Sequence, residues 1–426
     1  MIIGIDASRA NRPFKSGTEW YSYYLIRHLA QIDSKNEYIL YSDKPLEGGL
    51  ADLSDIKKDI FQKEEPDFNE EGYQVLKSPF NNFKAKILTW PFPYFWTIGR
   101  LSLEMILHKP DVLFIPAHAL PLCLPKKTVN TIHDVAFARE KELYRSNIID
   151  YKAEEKKVGF ISFLVSVITN NKYRAKFSDY LDWSTKKAIL KAKKIITVSN
   201  FSKQEIMDIY KADPEKIEVI YNGYNNFLYN TNLDDEEKTK SILEDYGLEK
   251  PYLLYIGRLE KKKNIANLIE AFAILKENKK IDHKLVLIGN IGFGHDELKY
   301  IIEEFKLEND VIKLGWVQEY DLPILLKNSS AFVFPSKHEG FGIPVIQAMA
   351  CGVPTVISDI PTLREIAQDC SVFFNPLDRN SIAESIDKVL SDKDLQQKLI
   401  EKGKARAQHF SWQKCAEQTL KILNNI

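Results

Sequence analysis

The sequence predicts an α/β protein with two doubly wound domains, each built around a parallel β-sheet. Short apolar runs rich in β-branched residues alternate with amphipathic segments of helical period, which is the pattern of βα units. This alternation starts afresh in the second half of the chain. A length of 426 residues also exceeds the usual size of one domain, so two domains of about 200 residues each are expected.

The apolar runs place several strands in each half of the chain. A polar, charged stretch at 222–250 begins with a turn dipeptide and suits an interdomain linker, so the boundary is predicted near residue 225, with domains at 1–225 and 226–409. The predicted strands are 2–5, 38–41, 112–115, 128–132, 195–198 and 217–220 in the first half, and 252–256, 284–288, 311–314, 331–334, 355–358 and 371–374 in the second.

Composition argues against several classes of protein. The 59 basic and 59 acidic residues cancel, so no overall field favours nucleic acid or an anionic membrane. The four cysteines lack the spacing of a zinc site, which indicates reduced thiols. The chain begins with a short apolar strand rather than a secretory signal, and no stretch reaches the roughly 20 apolar residues that span a bilayer. We therefore expect a cytoplasmic protein.

A glycine-containing loop in the second half is typical of a phosphate-binding site. The predicted strand 331–334 leads into Gly340-Phe341-Gly342 and then into a helix that starts at about Ile343. Free N–H groups at a helix N-terminus and the positive end of its dipole favour an anion such as a diphosphate. A loop of this kind also serves tight packing in any doubly wound fold, and the spacing alone does not separate the two interpretations.

A second basic element, GRLEKKKN at 257–264, follows the first strand of the second half. Ligands of open α/β sheets bind at the carboxyl ends of the strands, where Arg258 and Lys263 would neutralise a diphosphate. Lys261 and Lys262 fit a solvated basic loop instead. Asn264 is expected to cap the helix that follows, as Ser202 and Ser391 are expected to cap helices elsewhere.

Five motifs together resemble the retaining glycosyltransferases of family 4. They are GRLEKKKN, the EGFG loop with its helix, SNFSK at 199–203, YNG at 221–223 and the tripeptide Ile132-His133-Asp134. The resemblance implies the GT-B fold, with two Rossmann-like domains whose parallel sheets face a central cleft. It further implies that the first domain binds the acceptor and the second the nucleotide-sugar donor. The segment 410–426 resembles the terminal helix that returns to the first domain, with Trp412 as a packing anchor.

The resemblance also assigns roles to individual residues. Glu339 is the first glutamate of the family signature and contacts the donor sugar, while Gln347 stands where relatives carry a glutamate that binds the ribose. A glutamine still accepts one hydrogen bond and donates another, so activity is expected to survive. Arg258 and Lys263 match the pair that grips the diphosphate in place of a metal, so neither a metal ion nor a cofactor is expected.

Other positions are assigned in the same way. His133 matches a residue beside the donor sugar, although a structural histidine is the alternative, and Asp134 more simply fixes the local turn. Gly17 lies in a loop that faces the donor phosphate and the acceptor. Val317 lies near the expected site of the nucleotide base, with Gly340, Phe341, Gly342 and Ile343 around the phosphates.

The first half of the chain, with its His-Asp dipeptide after a strand, resembles mannosyltransferases of bacterial polysaccharide assembly. GDP-mannose is therefore the expected donor, and a glycan or lipid-linked molecule is the expected acceptor. The apolar run 158–169 and the aromatic run 90–96 would serve that acceptor, unless they are buried in the first domain. The run 158–169 with its basic flanks would also suit a peripheral contact with the inner membrane face. No nucleic-acid partner is expected. Another GT-B enzyme, such as a nucleotide-sugar epimerase or a phosphorylase, and a catalytically silent binding protein remain as alternatives.

Overall fold

The computed structural model describes residues 1–57, 65–92, 95–139, 177–229, 235–279, 281–290 and 295–426. The described chain divides into two compact units. The first unit comprises 1–139, 177–223 and 412–426, and the second comprises 224–411. The apolar run 158–169 and its basic flanks lie outside the described residues, as do positions 93 and 94 of the aromatic run. No described helix is both long and apolar enough to cross a membrane.

The first unit is built on a mixed sheet with the described strand order β3-β4-β2-β1-β5-β6-β7-β8. Only the β3–β4 pair among these is antiparallel. The sheet contains the predicted strands, with bounds that differ by at most one residue, and adds β3 and β4. The strands are β1 (Ile2–Asp6), β2 (Glu37–Ser42), β3 (Gln74–Val75), β4 (Phe83–Ile87), β5 (Val112–Ile115), β6 (Thr128–Ile132), β7 (Lys194–Thr197) and β8 (Ile217–Val219).

Helices cover both faces of this sheet. Because parallel crossovers are right-handed, the β1-to-β2 helix lies on one face and the helices that follow β4 lie on the other. The terminal helix packs against the helix between β1 and β2. The side chain of Trp412 is buried, and its ring stacks on that of Tyr24 at a centroid distance of 5.6 Å. The helices are α1 (Gly17–Ile32), α2 (Ser102–Leu107), α3 (Ala136–Arg139), α4 (Phe177–Lys191), α5 (Asn200–Tyr210) and the terminal α15 (Trp412–Asn424).

The second unit has a parallel sheet with the described order β11-β10-β9-β12-β13-β14. Its strands match the predicted ones to within one residue: β9 (Tyr252–Ile256), β10 (Lys284–Ile288), β11 (Val311–Gly315), β12 (Ala331–Phe334), β13 (Thr355–Ser358) and β14 (Val372–Phe374). Its helices are α6 (Asn226–Tyr229), α7 (Glu236–Asp245), α8 (Ile265–Ile274), α9 (His295–Glu304), α10 (Leu322–Lys327), α11 (Ile343–Ala350), α12 (Pro361–Ala367), α13 (Arg379–Ser391) and α14 (Lys393–Ala407).

Three predicted helix caps are wrong. The side chain of Asn264 donates to the carbonyl of Pro376 at 2.7 Å and makes no capping bond to α8. Ser202 lies within α5, whose cap is Ser199. Ser391 ends α13, and Asp392 caps α14. A tertiary hydrogen bond engages the Asn264 side chain, and in the other two helices a neighbouring polar residue makes the capping bond.

The strand order identifies one topological switch point in each sheet. In the first sheet the connections leave β1 toward β2 on one side and return to β5 on the other. In the second sheet the switch lies between β9 and β12. Open α/β sheets bind ligands outside the carboxyl ends of their strands at such points. Candidate ligand-binding residues are therefore expected just after β9 and β12 in the second unit, and just after β1, β5 and β6 in the first.

Candidate active site

Two loops meet at the switch point of the second unit. One follows β9 and ends in the 3₁₀ turn Lys261–Lys263, and the other follows β12 and runs to the start of α11. The backbone N–H of Lys337 donates to the carbonyl of Lys262 at 2.9 Å and ties the two loops together. Residues far apart in sequence are thereby held side by side at the carboxyl edge of the sheet.

Lys263 and Glu339 form an ion pair across these loops. Lys263 Nζ lies 2.5 Å from Glu339 Oε1, and the two side chains are only 14% and 10% exposed. The Lys263 ammonium also lies 5.5 Å from the ring centroid of Phe334, and the Glu339 carbonyl accepts a 2.8 Å hydrogen bond from the Thr362 hydroxyl. The structure thus brings together two of the predicted residues, a cation and a carboxylate, in a largely desolvated position.

Arg258 lies on the same loop as Lys263 but is much more accessible. Its side chain is 55% exposed, and its Nε is 3.9 Å from the carboxylate of Glu260. The Arg258 carbonyl accepts a hydrogen bond from the Tyr255 hydroxyl. Burial, with the nearby carboxylates of Glu339 and Glu260, raises the pKa of Tyr255 well above its ordinary value, so this phenol stays protonated as a donor. Arg258 therefore has a fixed backbone and a guanidinium that reaches solvent.

The N-terminus of α11 follows Glu339 directly. Gly342 occupies the capping position with a left-handed φ of 103°, and Pro344 stands in the first turn. Phe341 is buried against the ring of Phe410 at 5.6 Å, so its side chain packs inside the unit. Ile343 and Gln347 are half-buried along α11. The N–H groups that open the helix are the part of this segment suited to an anion.

The predicted donor-site residues Val317 and Gly17 lie on other elements. Val317 is buried after β11, which is separated from β12 by β10 and β9. Gly17 belongs to the first unit, where it is the first residue of α1 and a Cβ there would meet open space. Beside it, the Ser16 N–H donates to Glu19, and Glu19 pairs with Arg9 at 3.3 Å.

His133 follows β6 at the carboxyl edge of the first sheet. Its Nε2 lies 3.1 Å from the carbonyl of Pro116, and its ring meets Tyr21 edge-on at 4.8 Å. A carbonyl only accepts hydrogen bonds, so Nε2 carries the proton and Nδ1 keeps its lone pair in the neutral ring. Burial, with the ring of His118 as the second cause, lowers the pKa of His133 to about 4. Asp134 accepts the Ala136 N–H and fixes the local turn, as predicted.

This burial predicts a pH dependence for the first unit. The unfolded histidine binds a proton below its ordinary pKa of 6.5, whereas folded His133 does so only near pH 4. The stabilisation is therefore complete above pH 6.5 and is lost as the pH falls toward 4, at about 1.4 kcal/mol per pH unit at most. Urea unfolding at pH 7 and pH 5 should show a smaller loss in His133→Gln than in the wild type. Equal losses in both proteins would contradict the assignment, and ¹⁵N spectra at pH 5.5 should show the His133 ring neutral.

Sequence reasoning missed a polar group at the switch point of the first unit. Asp6 ends β1, is buried, and accepts hydrogen bonds from the N–H and hydroxyl of Ser8 at 3.0 and 2.6 Å. Burial raises the pKa of Asp6, while the bonds from Ser8 oppose that rise. The sequence feature that could have indicated this residue is an acidic side chain directly after an apolar run.

Comparisons with known proteins match both halves of the chain. A family model described as glycosyltransferase family 4 matches residues 15–226, and one described as glycosyl transferases group 1 matches 218–406. O-antigen chain mannosyltransferase B of Escherichia coli is 32% identical over 258 residues, which cover 60% of this chain and 67% of that protein. O-antigen chain mannosyltransferase RfbU of Salmonella typhimurium is 26% identical over 343 residues, covering 78% of this chain and 81% of its own length.

Solved structures share the fold across the whole chain. The glycosyltransferase WaaG, involved in lipopolysaccharide biosynthesis, aligns with a TM-score of 0.66 and 15% identity, covering 99% of both chains. Anabaena Alr3699/HepE in complex with UDP-glucose aligns with a TM-score of 0.65 and 16% identity, covering 100% of this chain and 99% of that one. With both halves matched and the fold shared, this chain is a glycosyltransferase of family 4 with the GT-B fold.

Proposed function

We propose that the enzyme transfers mannose from GDP-mannose to a glycan or lipid-linked acceptor, with retention of anomeric configuration and without a metal ion. The observation that carries the proposal is the buried Lys263–Glu339 pair at the switch point between β9 and β12, beside the N-terminus of α11. The mannose assignment is supported by the mannosyltransferases among the relatives.

In this proposal the donor diphosphate occupies the N-terminus of α11. The N–H groups there would bind its oxygens, and Arg258 and Lys263 would supply the positive charge. Breaking the bond between sugar and phosphate leaves more negative charge on the nucleoside diphosphate. Cations already fixed in a partly desolvated site stabilise that charge more than they stabilise the intact donor, which is the requirement for catalysis.

Glu339 would contact the donor sugar and hold the position of Lys263. A covalent intermediate would need a second carboxylate as a nucleophile about 5 Å from the first. The acidic residue on the facing loop, Glu260, is instead engaged with Arg258 and Lys262, both at 3.9 Å. We therefore favour front-side attack, in which the acceptor hydroxyl approaches the face that the diphosphate leaves and the departing phosphate accepts the proton.

His133, in the first unit, is proposed to contact a hydroxyl of the donor sugar, and Gly17 lies in the loop proposed to face the donor phosphate and the acceptor. A neutral imidazole whose Nδ1 keeps a lone pair would accept a hydrogen bond from a sugar hydroxyl. Gln347, half-buried in α11, would make one such bond to the ribose. A lipid-linked acceptor would also bring the enzyme to the membrane surface.

A panel of nucleotide sugars tests the donor assignment. GDP-mannose at a hundredfold excess over its dissociation constant should raise the free energy of unfolding by about 2.7 kcal/mol, seen as a thermal shift. UDP-glucose is the second candidate, since a structural neighbour was solved with it. A larger shift with UDP-glucose than with GDP-mannose would reassign the donor.

Product analysis of the same mixtures tests the reaction. Release of nucleoside diphosphate only when an acceptor is present, with an α-linked product from an α-linked donor, is the expected result. An isomerised donor would indicate an epimerase, and donor binding without turnover under any acceptor would indicate a silent binding protein. Full activity with a chelator present is expected, and activity that requires added Mg²⁺ or Mn²⁺ would contradict the metal-free mechanism.

A further inference from the structure

A group of aliphatic side chains is exposed on the first unit, away from the candidate site. Leu103, Ile106 and Leu107 lie on one face of α2 and are 48%, 62% and 60% exposed. Leu122, 43% exposed, adjoins them because its N–H donates to the hydroxyl of Ser102 at 2.7 Å. We call these four residues the α2 patch.

The buried side of α2 holds the helix with its aliphatic face outward. Glu104 is buried and binds Lys86 at 2.5 Å, Arg100 at 3.2 Å and His108 at 3.2 Å. Burial works against its charged form, but the bonds to Lys86 and Arg100 outweigh it and lower the pKa of Glu104. A buried carboxylate with several cationic partners fixes the orientation of α2, so its aliphatic face is held toward solvent.

The neighbouring segments extend the patch and bring basic residues beside it. Lys187 Nζ donates to the Pro121 carbonyl at 2.7 Å, which places α4 beside the loop that carries Leu122. Leu190, one turn further along α4, is 77% exposed. The segments 100–109, 120–127 and 186–194 are rich in basic residues. Arg100 is paired with Glu104, Lys186 with Asp182 and Lys194 with Glu218. The other basic residues of these segments are Lys109, Lys126, Lys127, Lys187, Lys191 and Lys193.

This charge identifies the kind of partner. A second copy of the chain in a twofold contact would bring the same cations face to face, which opposes self-association. A single-stranded nucleic acid would be bound by aromatic side chains stacked on its bases, and a duplex would be bound through its phosphates, which leaves the aliphatic side chains of the α2 patch uncovered. Aliphatic side chains flanked by lysines match the boundary between acyl chains and anionic headgroups.

We propose that the α2 patch and its lysines dock the first unit on an anionic phospholipid bilayer. These residues are distinct from the apolar run 158–169, and the proposed lipid binding is independent of the proposed transfer reaction because it requires no donor. The chain would therefore meet the membrane through a preformed face of the folded unit.

Vesicle sedimentation with the full chain tests this inference. We expect binding to vesicles of phosphatidylcholine and phosphatidylglycerol in equal amounts, little binding to pure phosphatidylcholine, and release by high salt. The pair Ile106→Ser and Leu107→Ser should weaken binding about 10-fold or more, since two exposed aliphatic side chains no longer enter the bilayer. The pair Lys126→Glu and Lys127→Glu should weaken it about 10-fold or more through charge.

Matched controls lie on the second unit. Leu377→Ser changes a leucine that is 74% exposed, and Lys393→Glu with Lys398→Glu makes the same change of net charge. Both controls should bind vesicles as the wild type does, and the donor-induced thermal shift should be unchanged in every variant. Wild-type binding by the Ile106/Leu107 variant would overturn the proposal. So would a patch-dependent dimer, seen by light scattering, without vesicle binding.

Discussion

Lys263→Ala is expected to reduce kcat/KM by about 10²–10³-fold, the effect of removing one fixed group that stabilises developing negative charge. Most of the loss should fall on kcat, because the nucleoside diphosphate carries more charge as it leaves than in the intact donor. Lys261→Ala is the matched control: it removes the same charge from the same 3₁₀ turn at an exposed position. Steady-state rates for the two variants side by side give the comparison.

The same substitution should also destabilise the second unit, and the two effects must be separated. Lys263→Ala leaves the Glu339 carboxylate buried and unpaired, which typically costs about 3–5 kcal/mol. In the double variant Lys263→Ala, Glu339→Gln the uncompensated charge is gone, so most of the stability should return while turnover stays low. If Lys263→Ala turned over donor at the wild-type rate, or if Lys261→Ala lost as much activity, the proposed site would be wrong.

Gly289→Ala is expected to destabilise the second unit by about 3 kcal/mol, the largest effect we predict for a single added methyl group. Gly289 follows β10 with a φ of 139°, and a Cβ there would lie 2.0 Å from the carbonyl oxygen of Gly257. That oxygen belongs to the rigid start of the loop that carries Arg258. The methyl group would therefore force apart the carboxyl ends of β9 and β10.

Gly315→Ala separates the clash from the backbone strain. Gly315 ends the neighbouring strand β11 with a φ of 70°, and a Cβ there would meet nothing within 4 Å. Only the strained backbone contributes, at about 1 kcal/mol. Urea unfolding measures both variants, and hydrogen exchange should localise the loss of protection in Gly289→Ala to β9 and β10. Equal destabilisation by the two substitutions would mean that the backbone near Gly257 shifts to remove the steric clash at little cost in free energy.

Strands buried on both faces were predicted most accurately. Strands β9 and β12 coincide with the predicted bounds because each is a continuous apolar run, as a parallel sheet covered by helices requires. Strand β4 was missed because its sequence, FKAKI, alternates apolar residues with Lys84 and Lys86. Alternation of apolar and polar residues is typical of a strand with one buried face, but it is weaker evidence than a continuous apolar run. The stacking of Phe83 on Tyr38 at 4.2 Å shows which of these side chains face the core.

The sequence by itself determined the α/β class, the two series of βα units, the family and the segments that carry Arg258, Lys263 and Glu339, because these depend on local pattern and motif. Only the tertiary structure decided that Lys263 and Glu339 form a pair across 76 positions of sequence separation. The physical reason is strand order: β9 pairs with β12 rather than with β11, and no local signal encodes which strands become neighbours. Burial likewise decided the neutral state of His133, since desolvation depends on side chains that only the fold assembles.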